Sequence, residues 1–377
     1  MDASSAADPA GANAPKVPES ETPAAGEQPS VTGRFTDARN RGHKRRRSPF
    51  RKAVSREAGY IIIRALHAII SRLPLPVGRG LARVLGFLGF FVLPRERRSA
   101  ILNLTRVYGA EKSAREIRLM ARKVFQNMVL TFIEWPILRR WPREKLLARF
   151  PNVGPDLQRM QRDIQATGTG AVTITGHHGN WELMALFFSQ YMPGFLFPIA
   201  KRLYFDKYQD FLHRLRESSG VKVIYTDQSA RRIIRVIRDG NIPGFLPDQD
   251  LRTNSGVFVD FFGLPAYTVT FPIDLARGLG VKYGVICLVR EGKGYRVLYN
   301  GLFDVPKTED KAADILTGSQ AWSRVLEGMI RQYPEQWSWT HQRWRTVPGH
   351  PRQRHDRHPV SEMPLPEGSA LQERAND

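Results

Sequence analysis

Short apolar runs of strand length recur between residues 170 and 290, separated by stretches whose apolar positions repeat at helical spacing. "GAVTIT" (170–175), "FLFPIA" (195–200), "VKVIY" (221–225), "IPGFL" (242–246) and "VKYGVICLV" (281–289) read as buried strands. The stretches 204–218, 229–239 and 268–279 read as helices between them. Strands alternating with helices predict an α/β domain, a sheet with helices on its faces. Ahead of it, "RERRSAILNLTRVYGAEKSAREIRLMARKVFQNMVLTFIEWPILRRW" is helical by period, with "EKSAREI" marking a helix start. Further upstream, "YIIIRALHAIISRLPLPVGRGLARVLGFLGFFVLP" contains two apolar segments of roughly a dozen residues each, split by a proline-containing break. Neither reaches the about 20 uncharged residues of a spanning helix, and Arg64, Arg72, Arg79 and Arg83 punctuate them. Basic, amphipathic and aromatic-bearing, they suit a helix pair lying in a membrane interface. Core helices of a globular domain are the competing reading. No internal repeat interrupts this order.

Charge changes the picture most at the two ends. The 377-residue chain carries a formal net charge of +21 and a pI near 10.5. Such an excess points to a polyanionic partner: nucleic acid, an anionic membrane surface or an acidic carrier protein. A single cysteine, Cys287, excludes an intramolecular disulfide and a cysteine-cluster metal site, and fits a reducing compartment. The first roughly thirty residues, rich in Ala, Pro, Ser, Gly and Glu, lack the apolar h-region of a secretory signal and read as disordered. A dense cationic block follows from Arg34 to Arg56, and the tail from Pro351 is rich in Pro, Arg and His. The expected segments are a disordered basic arm (1–55), membrane-associating helices (56–95), an α/β domain (96–350) and a disordered tail (351–377).

Candidate chemistry concentrates in "TITGHHGNWEL" (173–183), where a strand ends and a helix begins. His177 and His178 fall in the turn at the strand's C-terminal end, the edge where α/β sheets place ligand sites. His177 and Glu182 are five apart, which on a continuous helix splays them by roughly 140°. Across a turn they can converge, and a carboxylate that orients a histidine equips it as a general base. A zinc site needs a third ligand and an "HExxH" helix, neither present, so no metal is expected. No "GxSxG" marks a nucleophilic serine. His178, Asn180 and Trp181 read more simply as capping and packing residues.

The chain resembles the bacterial lipid A biosynthesis acyltransferases, lauroyl and myristoyl transferases of the wider lysophospholipid acyltransferase superfamily. His177 and Glu182 match that superfamily's His-x4-Asp/Glu signature. "RRSAILNLTRVYG" resembles the family's segment ahead of its helical stretch. "GNIPGFLPDQDLRTNSGVFVDFFGLPAYTVT" resembles its central block through Asp248, Gln249, Phe262, Gly263 and Thr268. "YPEQWSWTHQRWRTVP" resembles its closing signature through Pro334, Glu335, Gln336, Trp339, His341 and Arg343. The resemblance runs in order over about 55–350. It implies a glycerolipid-acyltransferase-like fold, with a mixed central sheet flanked by helices and an N-terminal interfacial helical segment. It also implies an enzyme moving an acyl chain from an acyl carrier protein thioester, or a coenzyme A thioester, to a lipid hydroxyl. His177 is then the general base and Glu182 its orienting partner, with no covalent intermediate and no cofactor. Arg216 in "HRLRESSG" is the expected oxyanion or phosphate ligand, with Arg214 as second choice. Asp248 and Asp250 are expected to support the active site or to cap a turn, Asn180 to support it from the helix start, and Gly263 and Thr268 to form a turn and a helix N-cap.

The chain departs from the family pattern at "FPIAKRLYFDKYQDF", where the proline of the substrate-pocket stretch is missing; Lys201 and Arg202 keep its positive charge for an anionic headgroup. The implied location is the cytoplasmic face of a cell inner membrane, peripheral or monotopic. The expected acceptor is a glycolipid such as a lipid A precursor. A phospholipid, mannosylated lipid or aminolipid is the alternative. A nucleic-acid-binding protein using the Arg34–Arg56 block is remote, because no recognisable binding module accompanies it, so no specific nucleic-acid partner is expected.

Overall fold

The computed structural model describes residues 49–151, 154–228, 230–251 and 256–349, with side chains from Arg56 onward. The arm expected at 1–55 lies outside the described residues up to 48, and the tail expected at 351–377 lies wholly outside them. The first helix, α1, spans Pro49–Ile70 and so begins ahead of the expected boundary at 56.

Helices α2 (Leu75–Val92), α3 (Pro94–Tyr108) and α4 (Ala114–Leu138) follow. The α4 start at "EKSAREI" is a capping box: Ser113 and Glu116 satisfy each other's backbone N–H groups, which stabilises the first turn. Gly78, Ala82 and Gly86 are buried one above the other on α2. A Cβ at Gly86 would press on the backbone of α4 at Gln126, so absence of a side chain lets the two helices approach closely. The opposite faces of α1 and α2 expose Ile61, Ile62, Leu66, Ile69, Val84, Leu88 and Val92. The two short helices α5 (Arg143–Leu147) and α6 (Gly154–Gln165) lead into the sheet.

The sheet contains β1 (Val172–Ile174), β2 (Leu196–Ala200), β3 (Ile224–Tyr225), β4 (Ile242–Phe245), β7 (Tyr283–Glu291) and β8 (Gly294–Phe303), in the spatial order β3-β2-β4-β1-β7-β8. Only β8 runs antiparallel to its neighbour, so the sheet is mixed. Its crossovers are α7 (Trp181–Tyr191), α8 (Asp206–Glu217), α9 (Ala230–Arg238) and α10 (Phe271–Leu279). A separate hairpin, β5 (Gly256–Phe261) and β6 (Leu264–Val269), precedes α10, and α11 (Lys311–Gln332) packs against it and β7. The period-2 alternation of β7 divides the core: Val285, Cys287 and Val289 join the cluster with α9, α10 and α11, while Ile286 and Leu288 join the one with α4–α7. Each strand expected from the sequence is present: β1, β2 and β4 are slightly shorter, β3 keeps only its last two residues, and β7 is shifted two residues onward. The β5–β6 hairpin, β8 and α11 were not anticipated. Thr268 lies in β6 rather than at a helix start, and Thr270 occupies the N-cap position of α10.

Candidate active site

The turn between β1 and α7 is fixed from both sides. Gly179 has φ +69°, and a Cβ there would collide with the Leu288 carbonyl of β7, so only glycine fits. Its N–H donates to the Gln336 carbonyl (2.9 Å), and the Asn180 N–H donates to Leu288 (2.8 Å). Asn180 then caps α7, its side chain accepting from the Leu183 N–H at 3.0 Å and donating to buried Glu134 at 3.1 Å. This clamp holds His177 at the sheet edge, its side chain 19% exposed.

Strand register determines what His177 meets. Ile174 of β1 pairs with Phe245 of β4, and the two strands are parallel. His177 and Asp248 each lie three residues beyond those partners, so they emerge side by side at the C-terminal edge. Asp248 is 1% exposed and accepts three hydrogen bonds. Its Oδ1 is 2.7 Å from His177 Nδ1, and its Oδ2 accepts from the His177 N–H (2.7 Å) and from Trp337 Nε1 (2.9 Å). Burial alone would raise its pKa, but His177 and these donors hold it well below the usual carboxylate range. An ionised Asp248 can only accept, so Nδ1 of neutral His177 carries the proton and Nε2 presents a bare lone pair.

Glu182 does not orient His177. Both of its oxygens are engaged by Arg216, Nη2 at 2.5 Å and Nε at 3.2 Å, in a two-pronged, largely buried ion pair. Burial opposes the charge on Arg216, but Glu182 outweighs it and raises the pKa. The carboxylate in contact with His177 is Asp248, not the Glu182 that the spacing suggested. Glu182 sits in the first turn of α7, whereas Asp248 arrives in register from the neighbouring strand.

The other expected site residues separate by role. Arg214 is exposed on α8. Lys201 is exposed just beyond β2, and Arg202 pairs with Asp227 at 2.6 Å while lying over the Tyr225 ring. Asp250 accepts from the Thr346 N–H (2.6 Å) and hydroxyl (3.0 Å) of the C-terminal segment. His178 is fully buried and its Nε2 faces the Tyr333 carbonyl at 3.1 Å. Trp181 is not a core residue: half-buried, it meets the His177 ring edge-on at 5.0 Å and Phe132 at 6.4 Å.

Sequence segments more than two hundred residues apart close around this edge. Asn103 donates to the carbonyls of Trp339 and His341, and Arg343, buried beneath Phe261, donates to Thr268 and to the Tyr267 carbonyl. Gln249 and His341, quoted earlier only as signature residues, stand at the site itself, with Gln249 Nε2 3.0 Å from His341 Nε2. Glu134 went unnoticed although it is the one acid in the apolar run "VLTFIEWPIL". Fully buried, it pairs with Arg79 (2.8 Å) and Arg290 (2.7 Å) as well as Asn180, and the arginines keep its pKa low against the effect of burial. Cys287 lies on the neighbouring strand, but burial pushes its thiol up to about 11, so it remains protonated and unreactive.

Comparison of the sequence with known proteins gives the family. The sequence model of the bacterial lipid A biosynthesis acyltransferases matches residues 48–346. The lipid A biosynthesis lauroyltransferase of Escherichia coli is 28% identical over 290 residues, covering 74% of this chain and 89% of that protein. The E. coli lipid A biosynthesis palmitoleoyltransferase is 25% identical over 283 residues, covering 74% and 88%. A phosphatidylinositol mannoside acyltransferase of Mycobacterium tuberculosis is 28% identical over 184 residues, 48% of this chain and 56% of that protein. With nearly the whole described chain inside the family match, this protein belongs to the bacterial lipid A biosynthesis acyltransferase family and is an acyl-transferring enzyme with a lipid acceptor.

Proposed function

We propose that this enzyme moves a fatty acyl chain from an acyl carrier protein thioester, or a coenzyme A thioester, to a hydroxyl of a membrane glycolipid such as a lipid A precursor. The observation that carries the mechanism is the His177–Asp248 pair, with Nδ1 2.7 Å from a buried carboxylate. His177 Nε2 takes the proton of the acceptor hydroxyl as its oxygen attacks the thioester carbonyl. Asp248 stabilises the imidazolium that forms and keeps the ring oriented. The tetrahedral intermediate collapses by breaking the C–S bond. The imidazolium returns its proton to the departing thiolate, leaving an ester and a free thiol. Glu182 and Arg216 form a nearly neutral pair beside the site, and Lys201 and Arg202 are candidates for an anionic headgroup.

The exposed apolar faces of α1 and α2 support attachment to an anionic inner-membrane surface from the cytoplasmic side, as a peripheral or monotopic protein. Exposed apolar side chains also follow β2 and β4 at the edge that carries His177: Leu203, Tyr204 (90% exposed) and Leu251. A lipid acceptor could then reach His177 without leaving the membrane surface. The likeness to phosphatidylinositol mannoside acyltransferases over 184 residues favours a mannosylated lipid as the second reading.

The test is acyl transfer by purified protein in detergent, with carrier-protein and coenzyme A donors assayed separately against a lipid A precursor and a mannosylated phosphatidylinositol. Product is identified by mass spectrometry. His177→Ala should abolish transfer in a chain that still folds, shown by a cooperative melting transition. A variant that keeps full activity would remove His177 from the mechanism.

A further inference from the structure

Resting on the reading of His177 as base, one group beside it has no role yet. Gln249 follows Asp248 directly in the chain, and its Nε2 lies 3.1 Å from His177 Nε2 and 3.2 Å from His177 Nδ1. An atom that close to both ring nitrogens cannot lie in the ring plane, because it would overlap the carbon between them. The amide therefore sits over the face of the imidazole, and the in-plane lone pair of Nε2 stays open for a hydroxyl.

The same amide nitrogen is 3.0 Å from His341 Nε2. His341 is mostly buried, and burial together with nearby His177 pushes its pKa down to about 4, so near neutral pH it is an uncharged ring able to accept. An amide NH2 offers two hydrogens. One serves His341, and the second stays on the same nitrogen, which lies 3.1 Å from His177 Nε2. The acyl carbonyl must enter the space beside Nε2, because the attacking oxygen binds at Nε2 and the oxyanion forms on the carbon that this oxygen joins. Oxyanion donors act from about 2.7–3.1 Å, and a donor already 3.1 Å from Nε2 has that reach.

Several neighbouring donors are engaged elsewhere. Arg216 is engaged by both oxygens of Glu182. The Trp337 and His177 N–H groups serve Asp248, and the Gly179 and Asn180 N–H groups serve backbone carbonyls. We propose that the Gln249 amide, rather than Arg216, is the donor that stabilises the oxyanion of the acyl-transfer intermediate, with His341 as its positioning residue.

The test compares Gln249→Ala, Gln249→Glu and His177→Ala as full-length chains in detergent, with a lauroyl thioester and a lipid A precursor. Gln249→Ala should lower kcat by about 10²–10³-fold, with KM for both substrates and the melting temperature little changed. Gln249→Glu is nearly isosteric, so it should fold, yet it sets a carboxylate against the oxyanion and should lose at least as much. His341→Ala should cost a few-fold to about tenfold in kcat through loss of one orienting hydrogen bond. If Gln249→Ala stays within about tenfold of the parent while His177→Ala is inactive, the oxyanion assignment fails and the base stands. If His177→Ala is fully active, the underlying reading fails instead. Gln249→Glu outperforming Gln249→Ala, or a loss confined to KM, would also overturn the proposal.

Discussion

Replacing Asp248 by asparagine tests the His177 partnership directly, and the hydrogen bonds predict its outcome in detail. The carboxylate accepts one bond through Oδ1, from His177 Nδ1, and two through Oδ2, from the His177 N–H and Trp337 Nε1. Asparagine has only one acceptor oxygen, so the amide must choose. With its oxygen at the Oδ1 position, the NH2 would confront two buried N–H donors. Each such unmet donor costs about 1–3 kcal/mol, about 2–6 kcal/mol together. With its oxygen at the Oδ2 position, both of those bonds survive and the NH2 faces His177 Nδ1. The ring can accept there by moving its own proton to Nε2. The second arrangement wins by several kcal/mol, and it places a proton on the atom that must act as base. Asp248→Asn should therefore fold with a nearly unchanged melting temperature while losing about 10³–10⁴-fold in kcat, the scale seen when a carboxylate that orients a base histidine becomes an amide. Thiol release from the donor thioester, followed optically and confirmed by mass spectrometry of the lipid, measures this. An Asp248→Asn enzyme retaining a tenth or more of the parental rate, beside an inactive Glu182→Gln, would return the orienting role to Glu182.

The remaining predictions concern stability. His178 and His341 are held neutral by burial, each lowered to about 4. An unfolded histidine binds its proton near pH 6.5, so between about 6.5 and 4 the unfolded chain carries more protons and stability falls on acidification. Asp248, with its depressed pKa, adds a further loss as pH falls below the ordinary carboxylate value. Melting temperature should thus decline steadily below about pH 6.5, and a flat profile down to about pH 4.5 would refute the buried-neutral assignment. Glu134→Ala strands Arg79 and Arg290 and loosens the α7 cap, so it should cost about 3–5 kcal/mol in denaturant unfolding. A wild-type midpoint there would show that the triad contributes nothing.

Period and composition marked out part of the secondary structure along the chain. Five strands, three crossover helices and the helix start in "EKSAREI" were legible because each depends on local patterning and on the choice of a few turn residues. The paired histidines, too, could be placed in a strand-to-helix turn. The sequence did not reveal the β5–β6 hairpin, which lay inside a stretch read only as signature residues, nor the partner of His177. Spacing of five within one turn suggested Glu182, the nearest acid along the chain. The true partner, Asp248, is 71 residues away and is brought alongside only by the parallel register of β1 and β4. Gln249 and His341 likewise meet only once α4, the hairpin and the C-terminal segment close on the sheet edge. Local sequence determines which elements form. Which side chains share a proton depends on strand order and register, and these are set by how the whole chain buries its apolar faces.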